Sequence, residues 1–426
     1  MPAFALCDAN AFYCSCERVF NPRLALTPLV VLSNNDGCIV ARTSEVKALG
    51  IPMGQPWFQV RARAESHGVK ALSSNYALYA DMSQRFMAVL GQFSPDLEVY
   101  SIDEAFLLLD GLGNGDLAAY GRTIRARVLQ WTGLPICVGI APTKTLAKLA
   151  NHVAKRHPDY AGVCDLRLIP ARDLDRLLAA LPATDVWGIG PRLGARLAAI
   201  GITTALSLRE APAKRLRAAF SVMLERTVLE LNGVSCLDLE EVTPKRRQIV
   251  VSRSFGLAVT DKAGLREAVT TYATRAAEKL RRQASVAGRV MVFIHTNYFS
   301  ATAPPYAASV TVPLADPSAD TRRIVAAVLL GLDAGYRDGH RYVKAGVMLL
   351  DLRDREVQQG SLWPATPVMA ARSARLMTVL DGVNRRMGRD AMIFAGAGVV
   401  KPWGMRQQRV SPRYTTRWSD LPVVSA

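Results

Sequence analysis

Two short apolar runs near the start of this sequence are interrupted or ended by carboxylates that a buried strand does not ordinarily tolerate, and they lie in a stretch where strands and helices alternate. Residues 4–7 form an apolar run closed by Asp8. Residues 98–102 and 105–109 read as two strands around Asp103 and Glu104. Further strands are predicted at 29–32 and 135–140. Helices are predicted at 44–49, at 76–93, from Asp116 through Gln130, and at 143–156. Strands interleaved with helices over the first 165 residues imply an α/β or α+β layered fold. Residues 166–240 are mostly helical. A polar linker near Glu240 leads into a further mixed domain, with a helix at 265–282 and strands at 289–294 and 344–350. The remainder reads as loop-rich and basic.

The chain has 426 residues, half of them hydrophobic, enough for three or four domains with their own cores. Lys and Arg number 53 against 36 Asp and Glu, a formal charge of +17. Such an excess commonly meets a polyanion, usually nucleic acid, although a basic surface without a partner fits the number too. The seven cysteines include no C-x-x-C pair and no zinc-like Cys/His spacing, so they read as small buried hydrophobes in a reducing compartment. The N-terminus lacks the basic start and long apolar run of a secretion signal, and no apolar run reaches about 18 residues. The expectation is a cytoplasmic protein with no membrane span.

Asp8, Asp103 and Glu104 are costly in apolar surroundings unless paired or bound to a cation. Hard oxygen ligands on rigid strands suit Mg²⁺. Two such ions about 4 Å apart activate a hydroxyl and steady a leaving pyrophosphate. On spacing alone, carboxylates turned outward at a hairpin tip and capping nearby amides are the favoured reading.

The surrounding motifs narrow this. Phe4-Ala5-Leu6-Cys7-Asp8-Ala9-Asn10-Ala11-Phe12-Tyr13 resembles the first motif of the Y-family DNA polymerases, and Tyr100-Ser101-Ile102-Asp103-Glu104-Ala105 resembles their S-I-D-E-A motif. Val138-Gly139-Ile140-Ala141 through Lys144-Thr145-Leu146-Ala147-Lys148-Leu149-Ala150-Asn151 is similar to their third motif, in the same order along the chain. Ser33-Asn34-Asn35-Asp36-Gly37-Cys38, Ser74-Asn75-Tyr76 and Ser411-Pro412-Arg413-Tyr414-Thr415-Thr416-Arg417 resemble the UmuC branch. The resemblance implies an α+β right-hand polymerase. Its ferredoxin-like palm would span 1–30 and 91–166, small fingers 31–90, a helical thumb 167–240 and an α/β little finger 241–355. A tail at 356–426 would carry clamp-binding and partner-binding segments. The implied activity is error-prone translesion DNA synthesis in an SOS-type damage response, moving dNMP from a dNTP to a primer 3′-hydroxyl.

By the same resemblance, Asp8, Asp103 and Glu104, helped by the backbone carbonyl of Ala9, hold two Mg²⁺ ions. Tyr13 is the steric gate beneath the deoxyribose, next to Phe12. Lys47 and Lys155 meet the triphosphate, with Ser44 where many relatives have a tyrosine and Cys14 where alanine is commoner. Arg42 lines the base side. Gly188-Ile189-Gly190 with Arg192 resembles a helix-hairpin-helix that brings backbone N–H groups to a DNA phosphate. Residues 245–289 carry eleven basic and three acidic side chains, among them Arg253 and Arg281, which suits sequence-independent phosphate contact. Gln359, Leu362 and Trp363 are similar to a sliding-clamp pentapeptide. The tail is expected to meet UmuD′ and RecA. Three other readings stay open: a DNA polymerase IV-like enzyme working without UmuD′, a catalytically inactive DNA-binding mutagenesis factor, and a helix-hairpin-helix nuclease or glycosylase. Primer extension separates the classes.

Overall fold

The computed structural model describes residues 2–240, 244–300, 304–355, 367–388 and 390–421. They divide into two compact units. Met1–Ser33, Gly37–Thr243 and Arg409–Ala426 form the first; Asn34–Asp36 and Pro244–Gln408 form the second.

Strands of the first unit are β1 (Phe4–Ala9), β2 (Leu29–Leu32), β3 (Ile39–Arg42), β4 (Lys70–Ser73), β5 (Leu97–Val99), β6 (Glu104–Leu108), β7 (Ile136–Ala141) and β8 (Val163–Asp165). Its helices are α1 (Phe12–Phe20), α2 (Ser44–Ala48), α3 (Trp57–Ser66), α4 (Tyr76–Leu90), α5 (Leu117–Thr132), α6 (Lys144–Arg156), α7 (Ala171–Ala180), α8 (Pro191–Ala198), α9 (Ala205–Glu210), α10 (Ala213–Ala219) and α11 (Val222–Leu231). Five strands form one sheet in the order β5-β6-β1-β7-β8. β1 lies antiparallel between β6 and β7, and β7 runs parallel to β8. Apart from Asp8, β1 is apolar because both of its faces are covered. Ala5, Cys7 and Ala9 pack with residues of α1, α4 and α5, whereas Phe4 and Leu6 pack with α6 and the helices after it. A smaller sheet, β3-β2-β4, buries its own apolar cluster against α2 and α3.

Gly139 lets α6 dock tightly. A Cβ there would stand 2.1 Å from the Asn151 nitrogen and 2.3 Å from the Ala147 carbonyl oxygen. The buried Asn151 amide fastens the same contact by donating to the carbonyls of Leu6 and Cys137, at 3.2 and 2.8 Å. The predicted strand at 98–102 is shorter than expected. β5 stops at Val99, because Tyr100 and Ser101 N–H both turn back to the Glu104 carbonyl, at 3.1 and 3.0 Å.

The second unit is an antiparallel sheet of β9 (Ile249–Val259), β10 (Ser285–Thr296), β11 (Ala307–Ser318) and β12 (Tyr342–Asp354), ordered β11-β10-β12-β9. α12 (Lys262–Arg282) and α13 (Thr321–Gly335) share its apolar core. The loop-rich reading of the remainder needs correction, since α14 (Pro367–Arg386) is a 20-residue helix. Met377 and Leu380 are buried at helical spacing, and polar contacts fasten α14. Asp381 receives Arg281 of α12, and Ser373 donates to Asp320 at the start of α13. Among the described residues, no helix is long and apolar enough to cross a membrane.

Candidate active site

Asp8 lies near the end of β1 and Glu104 opens β6, and the antiparallel register sets them opposite each other. One step on, the Ala9 N–H donates to the Asp103 carbonyl at 2.9 Å. Backbone pairing alone thus gathers the three acidic positions at one end of the sheet. The Asp8 and Glu104 carboxyl groups are close enough to perturb each other's ionisation. Asp103 stands in the turn before β6, where its Oδ1 accepts the Ser101 hydroxyl at 2.6 Å.

α6 supplies cations to this end of the sheet. Lys148 and Lys155 are two helical turns apart and share a face. Lys148 Nζ is 2.9 Å from Glu104 Oε2, and Lys155 Nζ is 2.5 Å from Asp8 Oδ1. Lys148 also lies over the rings of Tyr100 and Trp187, at 4.3 and 5.3 Å from their centroids. Burial pushes Asp8 up to about 7; the Lys155 charge opposes that rise and the Glu104 carboxyl adds to it. Glu104 is held below its usual value: burial works against this, but the Asp8 carboxyl and the Lys148 charge outweigh it. Lys148 belongs to the third motif, and its spacing from Lys155 on one helix is the sequence signal for its place at the site.

Among the described residues, no three His, Cys, Asp or Glu side chains close around a metal ion. Asp103 is drawn to Ser101, and ammonium groups sit on the other two carboxylates. The donor chemistry still fits Mg²⁺: the acidic positions offer only hard oxygens, and the buried Asp8 carboxyl needs positive charge nearby to stay ionised.

Tyr13 and Phe12 begin α1 but differ in surroundings. Phe12 is 3% exposed and packs in the core. Tyr13 is half-buried and stacks on Tyr79 at 4.4 Å between ring centroids. Ser44 and Lys47 are exposed on α2, and the Arg42 guanidinium donates to the Ile51 carbonyl. Gly188, Gly190 and Arg192 are exposed at the turn entering α8, and Gly188 has a φ of +89°, which favours glycine.

The basic stretch at 245–289 is less free than its composition implies. Lys245, Lys262, Arg266, Arg275, Arg281 and Arg282 are each in an ion pair. Most of the partner acids, Asp333, Asp354, Asp381 and Asp390, lie outside the stretch, so a local charge count could not see them. Arg281 is the clearest correction. Its guanidinium bonds both Asp381 oxygens at 2.7 Å, the Ala319 carbonyl and the Thr321 hydroxyl, so it braces α14 instead of meeting a phosphate. Arg253 is exposed on β9. Arg289 and Lys344 project, by strand alternation, to the sheet face opposite the buried Val290, Val292 and Ile294. Gln359, Leu362 and Trp363 lie outside the described residues.

A five-stranded sheet with paired carboxylates at one end, a lysine-bearing helix across it, and a separate four-stranded domain define the class: the fold is that of the Y-family DNA polymerases. A Y-family polymerase chimera built from Dbh and Dpo4 superposes with a TM-score of 0.64, at 22% identity, over 83% of this chain and 99% of that one. DinB from Sulfolobus solfataricus superposes with a TM-score of 0.50, at 21% identity, over 82% of this chain and 98% of that one. Within that class the chain belongs to the impB/mucB/samB family, which it matches over residues 7–152, with the family's C-terminal domain over 246–362. Residues 374–424 match a domain of unknown function (DUF4113). The chain is 50% identical to Protein UmuC of Salmonella typhimurium over 98% of its own length and 99% of that protein's. It is 47% identical to Protein ImpB of Salmonella typhimurium over 99% of both chains. DNA polymerase IV 2 of Mesorhizobium japonicum is 37% identical over 46% of this chain and 45% of its own.

Proposed function

We propose that this chain performs error-prone translesion synthesis as a DNA-directed DNA polymerase, adding dNMP from a dNTP to a primer 3′-hydroxyl opposite damaged template. Asp8, Asp103 and Glu104, with the backbone carbonyl of Ala9, would hold two Mg²⁺ ions. Bound there, such ions polarise the attacking hydroxyl and neutralise charge on the phosphates. Lys155, Lys47 and the Ser44 hydroxyl meet the triphosphate, and Arg42 borders the base. Tyr13 lies beneath the deoxyribose and leaves no room for a 2′-hydroxyl. The exposed Gly188–Gly190 turn and Arg192 meet one DNA phosphate, and Arg253, Arg289 and Lys344 meet others. UmuD′-like subunits, RecA and a sliding clamp are the protein partners, the clamp through Gln359, Leu362 and Trp363. The enzyme works in the bacterial cytoplasm.

The observation that carries this reading is the opposed pair Asp8 and Glu104, each with a lysine of α6 on it. The test is primer extension across an abasic template with Mg²⁺ and dNTPs, with and without a UmuD′ subunit. An Asp103→Ala change is expected to lower extension by about 10²-fold or more while leaving primer-template binding intact. Extension at the parent rate would remove the metal assignment, and a cut strand or a released base would replace the polymerase reading altogether.

A further inference from the structure

The C-terminal segment of the first unit runs along β4 and α4. Arg409 N–H donates to the Ser73 hydroxyl at 2.9 Å, and Ser73 N–H donates to the Arg409 carbonyl at 3.0 Å. The Asn75 amide nitrogen reaches the Ser411 carbonyl, the Ser411 hydroxyl and the Pro412 carbonyl, at 3.0, 2.9 and 3.1 Å. The same Asn75 caps α4 by accepting the Leu78 N–H at 3.3 Å. Tyr414 stacks on Phe20 of α1, with ring centroids 5.0 Å apart.

The segment ends its polar contacts on a buried carboxylate. Glu17 of α1 is 1% exposed, and its Oε1 accepts the Tyr79 hydroxyl at 2.7 Å and the Ser411 hydroxyl at 3.0 Å. A carboxylate so enclosed is costly unless donors are supplied, and one of these two donors comes from the tail. Tyr79 is fully buried, and its ring is the platform on which Tyr13 stacks, 15° from parallel. Tyr76, on the same helix face, meets Tyr13 edge-on at 6.2 Å. A relay therefore leads from Ser411 through Glu17 and Tyr79 to Tyr13.

We propose that the C-terminal segment at 409–414 is a positioning element for sugar selection: Ser411, through Glu17 and Tyr79, fixes the height and tilt of the Tyr13 ring. The proposal rests on Tyr13 acting as the gate against ribonucleotides. It gives part of the domain of unknown function a role in choosing substrate, with no residue of the segment touching the nucleotide. Ser411 and Glu17 are positioning residues. A loosened platform lets Tyr13 yield to a 2′-hydroxyl.

The test compares kcat/KM for dCTP and CTP opposite template dG in the full chain, with its accessory subunit, for Tyr13→Ala, Ser411→Ala, Ser411→Thr and Tyr79→Phe. Tyr79→Phe keeps the ring and removes only the hydroxyl, so it serves if Ser411→Ala fails to fold. The expected result is a drop in discrimination against CTP of about 3- to 10-fold in Ser411→Ala and Tyr79→Phe, with recovery in Ser411→Thr. Equal loss for both nucleotides, with the ratio held, marks a structural role only and overturns the proposal. A Tyr13→Ala enzyme that admits CTP while Ser411→Ala and Tyr79→Phe discriminate like the parent leaves the gate standing and removes the tail's role. If Tyr13→Ala itself still excludes CTP, the gate reading fails, and the proposal with it.

Discussion

Asp8 is caught between opposing demands. Burial favours its neutral form, while the Lys155 ammonium favours the ionised one. Lys155 thereby sits at the acidic end of the sheet, where a triphosphate's negative charge would draw it as strongly as a carboxylate does. Its removal is expected to raise the dNTP KM by about tenfold or more, the usual scale of a lost charge-assisted contact. Primer-template affinity should move little. Steady-state kinetics of Lys155→Ala alongside a DNA-binding titration check this, and a KM at the parent value would count against the triphosphate role. Lys148 is placed differently: two aromatic rings and Glu104 hold it, so it serves to orient that carboxylate.

At the scale of elements, the start of α13 shows how the second unit is tied together. Asp320 caps the helix, accepting the Arg322 N–H at 2.8 Å, and also receives the Arg322 guanidinium and the Ser373 hydroxyl of α14. Burial works against its ionisation, but these donors outweigh it and bring its pKa down to about 2. A carboxylate whose folded pKa is depressed stabilises the fold above its unfolded value, near 4. That contribution disappears as pH falls through about 2. It is on the order of 1–2 kcal/mol after allowance for solvent screening at the exposed Arg322. Asp320→Asn is therefore expected to lower the melting temperature at pH 7, with the gap to the parent closing between pH 4 and pH 2. A gap that stays constant over that range, followed by circular dichroism, would refute the role of the charge.

For the whole molecule, a formal charge of +17 does not mean seventeen contacts with DNA. The second unit holds many of its basic groups in internal ion pairs, and only some remain for phosphates. Arg289→Ala is expected to reduce the slope of log binding constant against log salt by about one, since one phosphate contact is lost. Arg281→Ala should leave that slope alone and lower thermal stability, because it strips Asp381 of its partner. Fluorescence anisotropy across a salt series reads the slopes, and the opposite assignment would show that the sheet face does not carry the DNA.

Short continuous apolar runs located β1, β6 and β7, the Asp116 cap located α5 and the helical stretch from Thr143 located α6, because those signals are local in the chain. The family motifs marked Asp8, Asp103, Glu104 and Tyr13 for the same reason. Composition missed the pairing of Arg281 with Asp381 and of Glu17 with Tyr79 and Ser411, whose partners stand far away in the sequence. It also read α14 as loop, since two buried apolar side chains among arginines are a weak periodic signal until α12 and α13 are there to bury them. The sequence by itself determined which residue types are present for chemistry and which short segments become strands and helices. Tertiary structure alone decided which charges neutralise each other and which stay available, because an ion pair or a buried hydrogen bond depends on distance in space, and chain order does not set that distance.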